Sequence, residues 1–262
     1  MPTDNRANGI DVSYWQQNID WQQVRAADVV FAVARASVGL STDSTFDMNW
    51  QRMKAEQILR GAYHYFLFSD NSIQQAQLFA STITLEAGDI PPVLDVEVNS
   101  TKDDHAELDF LRALSGDERI RRVKVCLDEI ERLTGKKPMI YTSSGFWNEY
   151  MIESAGQPPT WSSQYELWIA SWDDEAILPR GWAEWRIWQY TNIGSVEGIV
   201  SGVDRDYFNG TAAEMRAWLG APDTGIVVPI PMPPSSFKHQ VMINAFAKVF
   251  GAQFYWGKIE LA

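Results

Sequence analysis

Pro91-Pro92-Val93-Leu94-Asp95-Val96-Glu97-Val98 reads as a short strand, apolar on one side and acidic on the other. Side chains alternate faces along a strand, so Asp95 and Glu97 share one face, about 7 Å apart along the chain. Leu94, Val96 and Val98 share the opposite face. A strand this apolar belongs in a sheet covered on both sides, with Leu94 and its companions under helices and the acids turned inward. Burying two carboxyls without partners is costly, which leaves two readings: a functional pair, or a strand end where both reach water.

The same pattern recurs on either side. Apolar runs at 9–13, 29–36, 61–68, 138–142, 167–171 and 185–190, with a weaker one at 202–206, have the near-continuous character of strands in a covered parallel sheet. Helical patterns fill the gaps in the first half, at 21–26, 46–56, 73–85 and 117–134. The last begins with the pair Ser115 and Glu118, spaced as a capping box, and Gly135 follows its end. After residue 142 the helical signal shrinks to 146–150. An α/β fold follows: an irregular, TIM-like (β/α) barrel of eight strands with few helices in its second half.

A closing helix at 211–219, opened by Thr211 and Glu214, ends a unit expected to span residues 1–220. Residues 221–235 form a proline-rich linker and 236–262 a short C-terminal tail. In the tail Met242, Ala245, Phe246, Val249 and Phe250 fall at helical spacing, followed by Phe254-Tyr255-Trp256. The tail is too short for a domain and is expected to dock on the barrel or to self-associate.

Composition narrows the function. The 262 residues carry a net charge of −12, which argues against nucleic acid as a partner, and no run approaches the length of a membrane span. The single cysteine, Cys126, sits in an amphipathic stretch and reads as packing. His64, His105 and His239 are scattered without metal-ligand spacing, so neither a metal nor another cofactor is expected. No secretion signal is visible at Met1 to Arg6. Twelve tryptophans, several beside charged or amide residues, suit stacking on sugar rings as well as core packing.

Paired carboxyls and aromatic plates together suggest glycoside hydrolysis. One carboxyl, kept protonated, gives its proton to the departing sugar oxygen, and the other stabilises or attacks the anomeric carbon. Asp11 in Gly9-Ile10-Asp11-Val12-Ser13 and Asp204 in Gly202-Val203-Asp204-Arg205-Asp206 would join Asp95 and Glu97 in one cleft, if the strand ends of a barrel gather them.

At this point the chain resembles the glycoside hydrolase family 25 lysozymes, the Chalaropsis-type muramidases. The matching residues run in order through Gly9-Ile-Asp-Val-Ser-Tyr-Trp-Gln16, Gly61-Ala-Tyr-His-Tyr-Phe66, Leu94-Asp-Val-Glu97, Ile140-Tyr-Thr142, Leu167-Trp-Ile-Ala170, Trp188-Gln-Tyr-Thr191 and Val203-Asp204. The resemblance implies cleavage of the β-1,4 bond between N-acetylmuramic acid and N-acetylglucosamine in bacterial peptidoglycan. It makes Glu97 the general acid and Asp95 the group that stabilises the cationic centre or orients the N-acetyl group. Asp11 and Asp204 are then the family's further active-site acids, and Tyr63, His64, Tyr65, Tyr141, Trp168, Gln189 and Arg35 line the groove, with a hydrogen-bonded strand-end histidine as the equal alternative for His64. Val38 stands where the family often has an acid, a departure that touches only the rim. Retaining, inverting and substrate-assisted routes all fit the spacing of Asp95 and Glu97. A chitinase-like glycosidase and a non-catalytic sugar-binding barrel are the rival readings. The missing signal points to a phage endolysin-like source.

Overall fold

A computed structural model describes residues 5–98 and 105–221. The proline-rich linker from Pro222 on and the whole tail of residues 236–262, with its expected docking or self-association, lie outside the described residues.

Eight strands close a barrel. In ring order they are β1 (Asn8–Val12), β2 (Phe31–Val38), β4 (Leu59–Tyr65), β5 (Val93–Asp95), β6 (Met139–Ser143), β7 (Leu167–Ala170), β8 (Ile187–Gly194) and β9 (Val203–Phe208). From β1 to β8 all neighbours are parallel. β9 runs antiparallel to both β8 and β1, and β1 pairs with β2 to complete the ring. The two-residue β3 (Ser41–Thr42) is a short hairpin partner of β2, too short to show in the sequence pattern.

The helices stand where the apolar periodicity places them: α1 (Trp21–Ala26), α2 (Phe46–Ala55), α3 (Ser72–Thr82), α5 (Gly116–Thr134), α6 (Ser144–Tyr150) and α7 (Ala212–Leu219). One was not foreseen, α4 (His105–Ala113), whose start follows a polar, charged run. Their ends obey local chemistry. Ser115 accepts the Glu118 amide, Asn71 accepts those of Ile73 and Gln74, and Thr211 and Glu214 form a reciprocal capping box. Gly135, at φ +66°, turns the chain out of α5. On α5, Ile120, Val123, Cys126, Leu127 and Ile130 form the buried stripe that packs against α3 and the sheet. Burying each full-sized aliphatic in that stripe contributes about 1.5–3 kcal/mol.

Strand alternation sorts the core into two layers. Ile10, Val12, Ala32, Ala34, Leu94, Val96 and Ile140 face outward beneath the helices, while Phe31, Val33, Val93, Met139, Trp168 and Phe208 fill the barrel. Phe31 plugs the interior against Gly9, where an added Cβ would lie 2.2 Å from the ring. That close approach is why residue 9 has no side chain. The expected strand over 92–98 pairs as a strand only through Asp95, although the Val96 amide still donates to the Tyr141 carbonyl at 2.9 Å. Its last residues therefore leave the ladder and turn toward the barrel mouth.

Candidate active site

The inward-facing polar residues collect at the end of the barrel formed by the C-termini of the parallel strands. A cavity of about 180 Å³ opens there, lined by Asp11, Arg35, Tyr63, Tyr65, Asp95, Glu97, Tyr141, Trp168, Gln189 and Asp204, with Ser13, Trp15 and Gln16 on one side. β9 enters from the opposite direction, which sets Asp204 directly across from Asp11 in the β1–β9 register. Ten of the eleven residues expected at the site therefore share one cleft.

His64 is the exception. Period-two alternation turns Tyr63 and Tyr65 inward and His64 outward, where it is fully buried under α3. Its Nδ1 meets Ser37 Oγ at 2.8 Å and its Nε2 meets Gln75 Oε1 at 3.1 Å. Burial holds its pKa down at about 4, against the weaker upward pull of Gln75, so the ring is neutral. A bulge between Arg35 and Ser37 of β2 makes the arrangement work: it keeps Arg35 facing the cleft while Ser37 reaches His64 on the other side.

Asp95 and Glu97 occupy different depths. Asp95 is 4% exposed and its Oδ1 has no hydrogen-bond partner, whereas Glu97 is half-buried just past the strand end. Burial first, and the neighbouring Glu97 second, hold the Asp95 carboxyl well above the usual carboxylate range, with Arg35 pulling the other way. Two carboxyls that interact this strongly keep one proton between them. Arg35 is itself tied down. Its Nε donates to Asp43 Oδ2 at 2.9 Å, and its guanidinium lies 4.9 Å from the Tyr14 ring centre. Asp43 also accepts the Tyr14 amide and caps Thr45, so one buried carboxylate fixes the cleft wall to α2.

On the far side Gln189 Nε2 donates to Asp11 Oδ2 at 2.8 Å, while its Oε1 accepts from Tyr141 Oη at 3.0 Å and Trp172 Nε1 at 3.2 Å. Burial raises the Asp11 carboxyl, followed by repulsion from Asp204 and Asp206. The Asp204 carboxyl is pushed up to about 6, chiefly by burial. Burial also keeps the phenols of Tyr63 and Tyr141 protonated well beyond neutral pH. Among the described residues no group of three or more His, Cys, Asp or Glu is placed to hold a metal ion.

Two residues of the site went unrecognised in the sequence. Trp15, 65% exposed, stands on the rim on a short 3-10 turn whose capping box joins Ser13 and Gln16. Asp206 lies fully buried beneath the cleft and takes a hydrogen bond from Trp168 Nε1 at 2.8 Å. The signal for Asp206 was its position two residues after Asp204, which puts both acids on one face of β9.

Comparison with known proteins points to one family. The model of glycosyl hydrolases family 25 matches residues 10–199. The chain is 37% identical over 225 residues to the protein YegX of Escherichia coli strain K12, covering 84% of this chain and 75% of that one. It is 31% identical over 215 residues to lysozyme M1 of Streptomyces globisporus, covering 80% and 70%. The crystal structure of the bacterial lysozyme from Streptomyces coelicolor superposes with a TM-score of 0.72 at 30% identity, over 82% of this chain and 97% of that one.

Proposed function

The chain belongs to glycosyl hydrolases family 25, and we propose from that membership that it is a lysozyme whose chemistry is carried by Asp95 and Glu97. It hydrolyses peptidoglycan as an N-acetylmuramidase, cutting the β-1,4 bond between N-acetylmuramic acid and N-acetylglucosamine, and so acts on the bacterial cell wall. No described helix is long and apolar enough to cross a membrane.

The observation that carries the assignment of roles is the difference in depth between the two acids. Glu97, at the mouth, is the member of the pair that reaches the glycosidic oxygen and delivers the shared proton as general acid. Once the proton is on Glu97, Asp95 is left as a carboxylate deep in the cleft, placed to stabilise positive charge at the anomeric carbon or to orient the N-acetyl group. Asp11 and Asp204 face the substrate from the opposite wall. Tyr63, Tyr65, Tyr141, Trp168, Gln189 and Arg35 shape the groove. The catalytic unit is residues 1–220, so a truncation ending at Ala221 should remain lytic.

The test is to digest peptidoglycan with wild type, Glu97→Gln and Asp95→Asn and to identify the new reducing ends by mass spectrometry, with chitin oligomers as a parallel substrate. Fragments ending in reducing N-acetylmuramic acid, and a loss of at least ~100-fold for Glu97→Gln, are expected. A folded wild type that yields no such ends from peptidoglycan overturns the reading.

A further inference from the structure

We propose that Arg35 is a specificity-determining residue of this cleft: the outer edge of its guanidinium donates to the lactyl arm of the N-acetylmuramic acid ring and so separates that sugar from N-acetylglucosamine. The inference rests on the muramidase reading given above and deepens it.

Arg35 is the single cation lining the cleft among the described residues. It is held firmly. Its Nε donates to Asp43 Oδ2 at 2.9 Å, and its guanidinium lies 4.9 Å from the Tyr14 ring centre. The Asp43 side chain is fully shielded from solvent and also accepts the Tyr14 and Thr45 amides and the Thr45 hydroxyl, so it cannot swing with the arginine. Only 12% of the Arg35 side chain is exposed. Most of the ordering cost of a long cation is thus met before any substrate arrives.

The pairing leaves donors over. A guanidinium carries its N–H groups in a rigid fork, and Asp43 takes only the Nε edge. No described oxygen accepts from Nη1 or Nη2, and neither nitrogen is sealed from solvent. Both are left for the cavity that Arg35 lines. Because Asp43 offsets the charge, Arg35 offers the substrate directed N–H donors more than a bare positive field. Such a group suits an oxygen acceptor, neutral or charged.

Which oxygen it meets follows from where Arg35 stands. In the ladder Arg35 pairs with Tyr63, and Tyr65, on the same face of β4, pairs with Asp95. Arg35 therefore flanks the Asp95 side of the cleft, and its charge reaches that carboxyl. A cut that leaves reducing N-acetylmuramic acid sets the anomeric carbon of that ring at Asp95. This ring differs from N-acetylglucosamine in one substituent, the lactyl ether. The ether ends in a carboxylate on a bare glycan strand and in an amide carbonyl where a stem peptide is attached. Either form presents an acceptor oxygen, where N-acetylglucosamine has only a hydroxyl.

Binding to Glu97→Gln, which should hold ligands without cutting them, is the test. Calorimetry would compare a bare tetrasaccharide of alternating N-acetylglucosamine and N-acetylmuramic acid, the same strand bearing stem peptides, and chitotetraose. The muramyl strands should bind at least ~10-fold tighter than chitotetraose, the scale of a hydrogen bond to a charged group. Adding Arg35→Gln, whose amide can still donate to Asp43, should remove that preference while chitotetraose changes by less than ~3-fold. A loss confined to the bare strand assigns the contact to a carboxylate, and a loss on both strands to the shared oxygen. If Arg35→Gln fails to fold, Arg35→Gln combined with Asp43→Asn leaves no buried charge alone and should lose the same preference. A parent protein that binds no muramyl strand overturns both this inference and the reading beneath it. Equal binding of muramyl strands and chitotetraose, or a loss shared equally by both, overturns this inference alone.

Discussion

Gln189 and Asp11, 178 residues apart in sequence, are joined by a 2.8 Å hydrogen bond across the mouth of the barrel. Their strands are not neighbours, because β9 lies between them. The bond therefore spans the strand that closes the ring, and it carries the orientation of Tyr141 and Trp172 through to an acid in the cleft.

Replacing that amide by an acid should expose its role. Gln189→Glu sets an acceptor against an acceptor at neutral pH, and kcat/KM is expected to fall at least ~10-fold. Lowering the pH lets the new carboxyl protonate and donate to Asp11, so the deficit relative to wild type should shrink in the acidic limb. A pH–rate profile of the two proteins checks this, and a deficit constant with pH would show that the bond only fills space.

Trp15 is exposed on the rim, its ring centre 4.4 Å from that of Tyr14, which is in turn stacked under Arg35. A supported indole plate beside a sugar cleft is suited to stacking on a saccharide ring. Trp15→Ala should raise KM about 2- to 10-fold, the scale of an aromatic contact, and leave kcat nearly unchanged. Steady-state kinetics on soluble peptidoglycan fragments would reveal a kcat effect instead if Trp15 served the chemistry.

The parts legible in the sequence were those governed by short-range periodicity. Alternation in Val93–Asp95 put the acid inward and Leu94 outward, and the spacing of Ile120, Val123 and Leu127 laid out α5. The reversed direction of β9 left no local mark, since an antiparallel strand reads like a parallel one. His64 went astray for a different reason. A motif match carried Tyr63, His64 and Tyr65 to the cleft together, although period two forbids three consecutive strand residues from sharing a face. Asp206 obeyed that same rule and was passed over beside the more familiar Asp204.

His64 as a buried structural residue makes a stability prediction. His64→Ala removes a packed ring and strands Ser37 Oγ in the buried layer under α3, while Gln75 Oε1 is left with the Leu67 amide alone. A loss of roughly 2–5 kcal/mol in unfolding free energy is expected from the cavity and the lost partners. Activity per folded molecule should stay within ~3-fold of wild type. Urea unfolding and kcat/KM on the same preparation decide it: stability intact with activity lost would return His64 to the substrate.

The buried acids also set how stability depends on pH. Asp11, Asp95 and Asp206 hold protons well above the usual carboxylate range, and Asp204 does so up to about 6, all chiefly through burial. The folded state thus binds more protons than the unfolded chain, and such groups stabilise the fold as pH falls through their raised values. His64 works in the other direction. Held at about 4 against an ordinary 6.5, it is protonated only on unfolding, which favours the unfolded chain below pH 6.5. His64 and Asp204 shift by similar amounts and roughly offset each other, so the other three acids decide the sign. Carboxylates whose affinity is lowered, such as Glu118 at about 2, matter only below about pH 5. Between pH 7.5 and 5.5 the urea midpoint should therefore rise on acidification, and Asp206→Asn should flatten that rise by removing one titrating group. A midpoint that falls steadily over the same range would mean that the barrel tolerates these acids as charges.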